Sequence, residues 1–344
     1  MAASGAILMY LRENQAGSLP LVSSMRAYAP GEFVGLDAHT MRNLELFGAG
    51  LDGRRDGSLL ATLDLTNTSM GARLLRRRIG QPLVDLVAID RRLDAVAFCH
   101  ESALRRARLR ELLRGIPDLE RVVARIVADS AQPRELVALR RGLEAVPELR
   151  TELRRQAADE REEFDARIGE VAGRLRPCDD IGAAIAQAIA DEPGATIDAG
   201  AVVRPGFSEE LDALRLISRD VRRFLAELEA GERERTGIRS LKIGYNRVFG
   251  YYIEVSKASL TAVPEHYERR QSLVNAERFA TPQLREYESQ ILHAKDRMQE
   301  LETAVFRQLC GQVAAAAPAI LATAGAIAEL DVAVALAEAA ARHG

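Results

Sequence analysis

The chain has 344 residues, 47% of them hydrophobic and 28% charged, with a net charge of −3. That is ample apolar material for two or three packed domains, and the slight acidity excludes a protein coated in positive charge, so any contact with nucleic acid has to be local. Cys99, Cys178 and Cys310 stand apart without a CxxC pair, which gives no disulfide or zinc framework and fits a reducing compartment.

No apolar run approaches the roughly 20 residues of a membrane span, and the start lacks a basic region followed by an apolar core, so the expectation is a soluble, cytoplasmic protein. Residues 2 to 15 read as a short helix with Ile7, Leu8, Tyr10 and Leu11 on its buried side. This abrupt beginning suggests a piece of something longer. A mixed stretch follows from Leu19 to Leu46. Gly48 to Gly53 matches GxGxxG in letters, but no strand leads in and no βαβ unit follows, so a plain turn is expected rather than a phosphate loop.

From Ser58 to about Ile189 the pattern is a succession of helices, with Pro82, Pro117, Pro133, Pro147 and Pro177 at their boundaries, because an interior proline costs ~3 kcal/mol. Leu86, Ile89, Leu93, Val96 and Ala97 give one amphipathic face, and Leu136, Leu139, Leu143 and Val146 another. Two arginine clusters, Arg76 to Arg78 and Arg105-Arg106 with Arg108 and Arg110, read as solvated helical faces with acidic neighbours. A short β-prone piece around Ile197 to Val203 closes this region.

Ser208 then caps a helix whose Leu211, Leu214, Ser218, Val221, Leu225 and Leu228 keep a heptad spacing, with Phe207 as an apolar staple before the cap. Leu241 to Ser256 switches to period two, rich in aromatic and β-branched residues, and predicts a hairpin with its tip near Asn246-Arg247. Tyr245, Phe249, Tyr251 and Tyr252 are expected to form the small core of this β module rather than a stacking platform. Thr281-Pro282 starts a second helix, in which Leu284, Tyr287, Ile291, Ala294, Met298, Leu301 and Val305 repeat the heptad spacing. Two matched stripes predict two antiparallel helices, and arms of roughly 25 residues reach about 40 Å. The alanine-rich stretch from Ala314 to Ala341 is expected to be helical, with a restart at Pro318.

Several strings resemble the bacterial MutS mismatch-repair family. They are Lys242 to Val255 (KIGYNRVFGYYIEV), Arg270 to Phe279 (RQSLVNAERF), Glu232 to Gly237, Leu36 to Ala38 with Arg42 to Leu46, and Ser69 to Leu75. Their order and separation carry the resemblance nearly end to end. It implies a mainly α fold: a multi-helix core with two long antiparallel lever helices carrying a small inserted β-rich clamp module. Residues 1–221 would be the first core/lever segment, 222–281 the clamp and 282–344 the returning segment. It also implies that Asn246, Arg247 and Asn275 match backbone-contacting positions, while Val274 stands where some members carry lysine. Ser272, Arg269 and Arg270 complete the candidate DNA-binding set, since long cations and small polar groups are what phosphate contact requires.

His39, His100, His266, His293 and His343 are scattered, with no HExxH and no active-site constellation, and no GxxxxGK[ST] occurs. The expectation is therefore no catalysis and no cofactor in this chain, the family's ATP and Mg²⁺ belonging to an ATPase domain elsewhere. Implied partners are the double-stranded DNA backbone, a second copy of the full-length protein and a MutL-like repair partner, near the nucleoid and with no membrane. The alternative is a helical scaffold with a projecting coiled-coil arm that binds protein.

Overall fold

The computed structural model describes residues 2–14, 30–50, 52–155, 168–197, 200–246 and 250–343. They fall into two compact units, Met1–Ala195 with Arg307–Gly344, and Thr196–Phe306.

The first unit is helical: α1 (Ala2–Asn14), α2 (Ala38–Asn43), α3 (Leu59–Leu63), α4 (Ser69–Gly80), α5 (Leu86–His100), α6 (Ala103–Arg114), α7 (Leu119–Val127), α8 (Pro133–Glu144), α9 (Val146–Arg155), α10 (Glu170–Arg174) and α11 (Asp179–Ala188). Starts follow the capping residues. Asp37, Ser58, Thr68, Asp85, Ser102 and Asp118 each accept a hydrogen bond from a backbone N–H two or three residues on. Pro133 opens α8, and Pro82, Pro117 and Pro177 lie between helices. The core takes fully buried leucines from α6 to α9, including Leu109, Leu119, Leu136, Leu139, Leu143 and Leu149.

The last helix of the chain, α13 (Pro282–His343), continues without a break through Pro318 instead of restarting there. This helix holds an 18-residue window with a mean hydropathy of 1.8, long and apolar enough to cross a membrane, but 67% of that window is buried inside the protein, as in a core helix. Its anchor is Asp331, wholly buried, whose carboxylate accepts from the Asn67 and Thr68 backbone N–H groups, Asn67 Nδ2 and Thr68 Oγ1 at 2.8 to 3.2 Å. Thr68 Oγ1 in turn caps α4 by accepting from the Gly71 N–H at 2.9 Å.

Three expectations for this unit need correction. Ile7, Leu8 and Tyr10 are exposed on α1, and Leu86 and Leu93 on α5, because the apolar period exists but no described element packs on it. Arg105 and Arg106 are buried, not solvated. Arg105 donates to Phe98 O at 2.5 Å and lies 3.8 Å over the Phe98 ring, and Arg106 donates to His100 O at 3.0 Å and to Glu338. They neutralise the open carbonyls at the C-terminal end of α5. The GxGxxG letters, by contrast, form a turn as expected, with Ala49 and Arg54 exchanging backbone hydrogen bonds around Gly50 and Gly53 at positive φ; residue 51 lies outside the described residues.

Glu338 makes a pH-dependent contribution. Burial pushes its carboxyl upward, but hydrogen bonds from Arg342 and Arg106 and the charge of Arg110 outweigh this and hold it down to about 2 against an ordinary 4.5. A carboxylate depressed in the folded state contributes fully above about 4.5, and the contribution disappears as pH falls from there through about 2. The unfolding-temperature deficit of Glu338→Gln relative to the parent is expected to shrink between about pH 6 and pH 3. An equal deficit at both values would contradict this reading.

The second unit contains α12 (Glu209–Thr236), the first part of α13 and a four-stranded antiparallel sheet. Its strands are β1 (Lys242–Asn246), β2 (Gly250–Ser256), β3 (Glu268–Ser272) and β4 (Ala276–Ala280), in the order β1-β2-β4-β3. Ser208 caps α12, as expected, although Phe207 before it is exposed. The Ile197–Val203 piece is not a regular strand, with residues 198 and 199 outside the described set. Thr281 Oγ1 caps α13 by accepting from Leu284 N at 3.2 Å. Phe224 stacks on Tyr287 with centroids 3.8 Å apart, Arg297 pairs with Glu210 and Arg215 with Glu302, so the two helices run antiparallel. The side chains of Ser218 and Val221 lie outside the described residues.

One face of the sheet is sealed by a core of Ile238, Leu241, Ile253, Val255, Tyr267, Phe279 and Leu284, with Leu225 and Leu228 of α12 packed against it. The expected aromatic core is thus mostly aliphatic. Tyr251 reaches its edge, while Tyr245 is 51% exposed. Tyr252 points to the other face and lies across Gly244, where a Cβ would come within 2.7 Å of the ring; Phe249 is outside the described residues.

Candidate nucleic-acid interface

The register fixes where each candidate residue lies. Asn246 pairs with Gly250, so β1 and β2 form the expected hairpin, and residues 247–249, Arg247 among them, connect the two strands outside the described residues. Gly250 is required at its place because its φ is +72° and a side chain there would run into Glu288. The second hairpin, β3 to β4, turns through Leu273 to Asn275, closed by Leu273 N donating to Ala276 O at 2.8 Å. Since Ser256 pairs with Ala276, this second turn lies where β2 ends, not where it begins. Asn246 and Asn275 therefore occupy opposite ends of the sheet. The seven residues of β2 at about 3.3 Å each put roughly 20 Å between them.

The cations divide into those already neutralised and those that are not. Arg269 bonds Glu277 and Ser272 Oγ, so two candidate residues are engaged with each other. Arg278 donates to Glu254 and to Gln271, both at 2.9 Å, and lies 4.1 Å over Tyr252. Arg233, Arg235 and Arg285 are also paired, with Glu229, Glu232 and Glu268. Among the described residues of the module, Arg239, Lys242, Lys257 and Arg270 are exposed and have no ion pair. Arg270 occupies the irregular position between Arg269 and Gln271 on the edge strand.

Three of these four lie toward one end of the sheet. Ser240 and Ser256 touch through their hydroxyls at 2.9 Å, which brings Arg239 beside the end of β2, and Lys257 N donates to Asn275 O at 3.1 Å. Lys242 begins β1 at the same end, opposite a Glu254 that Arg278 already occupies. Lys257 thus adjoins Asn275, and Arg239 and Lys242 lie toward the same end of the sheet. Val274, 85% exposed, stands in the β3-β4 turn beside Asn275. The candidate set drawn from the sequence contains none of Arg239, Lys242 and Lys257. The arrangement offers exposed positive ends and an amide donor, and it suits a polyanion approached along its backbone.

The profile described as MutS domain III matches residues 39–337. The chain belongs to this family. It is 43% identical over its full length to the DNA mismatch repair protein MutS of Dehalococcoides mccartyi, covering 39% of that protein. The MutS of Symbiobacterium thermophilum is 45% identical over 343 residues, with 38% of it covered, and that of Chlorobaculum parvum 44% over 329 residues, with 37% covered. The chain thus spans about two fifths of the length of these MutS relatives.

Proposed function

We propose that the chain is the lever and clamp portion of a MutS-like mismatch sensor in bacterial DNA repair, holding duplex DNA through its backbone. In this reading residues 222–281 are the clamp, inserted between core/lever segments 1–221 and 282–344. The observation that carries it is the grouping of unpaired Arg239, Lys242 and Lys257 toward the Asn275 end of the sheet in a chain of this family. Asn246, Arg247 and Arg270 would add contacts elsewhere on the sheet. The roughly 20 Å between the two ends exceeds the ≈12 Å major groove, so the ends would meet phosphates on opposite flanks of a groove. Arg269 and Ser272 would act mainly as a brace for β3.

As the resemblance implies, these residues would contact the backbone and not base edges, so binding should be indifferent to sequence and mismatch. ATP and Mg²⁺ would act in a part of the full-length protein outside these residues, with the levers relaying nucleotide state to the clamp. A second copy and a MutL-like protein would be partners of that whole. A helical scaffold with a projecting arm is disfavoured by the family membership.

Fluorescence anisotropy on labelled matched and mismatched duplexes over a salt series tests this. Equal affinities are expected. Arg247→Ala should flatten the slope of log K against log salt by about one unit, and Asn246→Ala should weaken binding with less change in slope, since an amide releases no counterion. Arg76, which lies 4.5 Å over the Phe47 ring in the first unit, is the control. If Arg76→Ala abolished binding while Arg247→Ala left it intact, the DNA surface would lie in the helical unit.

A further inference from the structure

The first unit contains a basic cavity that the DNA reading does not use. It measures about 430 Å³ and is lined by Arg78 of α4, Arg91 and Arg92 of α5, Arg174 of α10, and Glu170 and Glu329. A second cavity of about 500 Å³ shares Arg78, Arg92 and Glu329 with it and adds Arg77 and Gln81. Four arginines therefore face two glutamates across the first cavity. One of those glutamates is spent, because Arg174 grips Glu329 with both terminal nitrogens, one at 3.0 Å.

Arg78 is left with an unanswered charge. Its Nε is enclosed without a hydrogen-bond partner among the described residues. Burial, followed by repulsion from Arg92, pulls its guanidinium down to about 10, with Glu329 the acid that partly offsets them. Burial likewise lowers Arg92. Like charges gathered in one recess are unfavourable unless an anion neutralises them, and a guanidinium fork matches the oxygens of a tetrahedral oxyanion.

We propose that this cavity binds an oxyanion of the phosphate class, either free phosphate or the phosphoryl group of a small molecule. A duplex backbone is not its ligand, since Arg78 is recessed while phosphates on a duplex are met by exposed cations such as Lys242. The sequence pattern of Arg76 to Arg78 suggested one solvated face, but the structure divides it: Arg76 stacks outward on Phe47, whereas Arg78 lines the cavity. This inference stands apart from the DNA-clamp reading.

The test follows thermal unfolding and ³¹P line broadening of the 344-residue chain in sodium phosphate and in sodium chloride of equal ionic strength. Phosphate should raise the unfolding temperature saturably and chloride should not, because only a ligand of the folded state stabilises by mass action. Arg78→Gln should unfold at a higher temperature than the parent when phosphate is absent, since it relieves repulsion, and should weaken the phosphate midpoint by at least about tenfold. A purely structural arginine would give the opposite sign in the first measurement. Arg92→Gln should also weaken the midpoint, and Arg76→Gln should leave it unchanged. Adenosine monophosphate identifies the source: a midpoint well below that of phosphate supports a phosphorylated small molecule, and an equal one supports the free ion. No phosphate-specific response in the parent, or an equal loss in Arg76→Gln, would overturn the proposal.

Discussion

Asp331→Ala is expected to destabilise the chain by about 3–5 kcal/mol, because it removes the acceptor from a buried set of donors. Four donor groups, the Asn67 and Thr68 amides, the Asn67 side chain and the Thr68 hydroxyl, converge on that carboxylate from the turn before α4. None could recover water without opening the contact between α13 and that turn. Gly71→Ala should also lose stability, since a Cβ there would overlap the Asp331 carboxylate. Arg297→Ala provides the contrast. It breaks exposed pairs with Glu210 and Glu300 and should cost less than about 1 kcal/mol. Urea unfolding followed by circular dichroism measures all three, and an Asp331→Ala variant within about 1 kcal/mol of the parent would contradict the anchoring role.

The caps and heptads of α12 and α13 and the period-two hairpin were legible in the sequence because each rests on neighbours in the chain. Asp331 was not, since nothing in the alanine-rich stretch announces that one acid will meet a turn more than 260 residues earlier. Pro318 shows the same limit: local preference predicts a break, but a well-packed helix tolerates the lost hydrogen bond. The resemblance groups Asn246 and Asn275 as contacting positions without saying how far apart they lie. Only the β2-β4 pairing, which sequence order does not dictate, places them at opposite ends. Residue type alone could not separate Arg269 and Arg278, which the sheet neutralises internally, from Lys242 and Lys257, which it leaves exposed.

The second large effect is expected at that end of the sheet. Replacing Arg239, Lys242 and Lys257 together by glutamine removes three unpaired cations without touching the buried face of the module. The fold should persist, since exposed unpaired cations contribute little to stability. Duplex affinity should not. Each phosphate contact contributes about 0.9 to the salt slope, so at about 0.15 M salt three lost contacts weaken binding on the order of a hundredfold. Arg269→Gln, by comparison, removes a cation already bound to Glu277 and should leave the slope nearly unchanged.

The most direct measurement is therefore the slope of log K against log salt for duplex binding by the parent and by the triple glutamine variant, each confirmed as folded by circular dichroism. A backbone clamp at this end of the sheet predicts that the triple variant's slope is shallower by roughly 2.7 units. Identical slopes and affinities for the two proteins would contradict it.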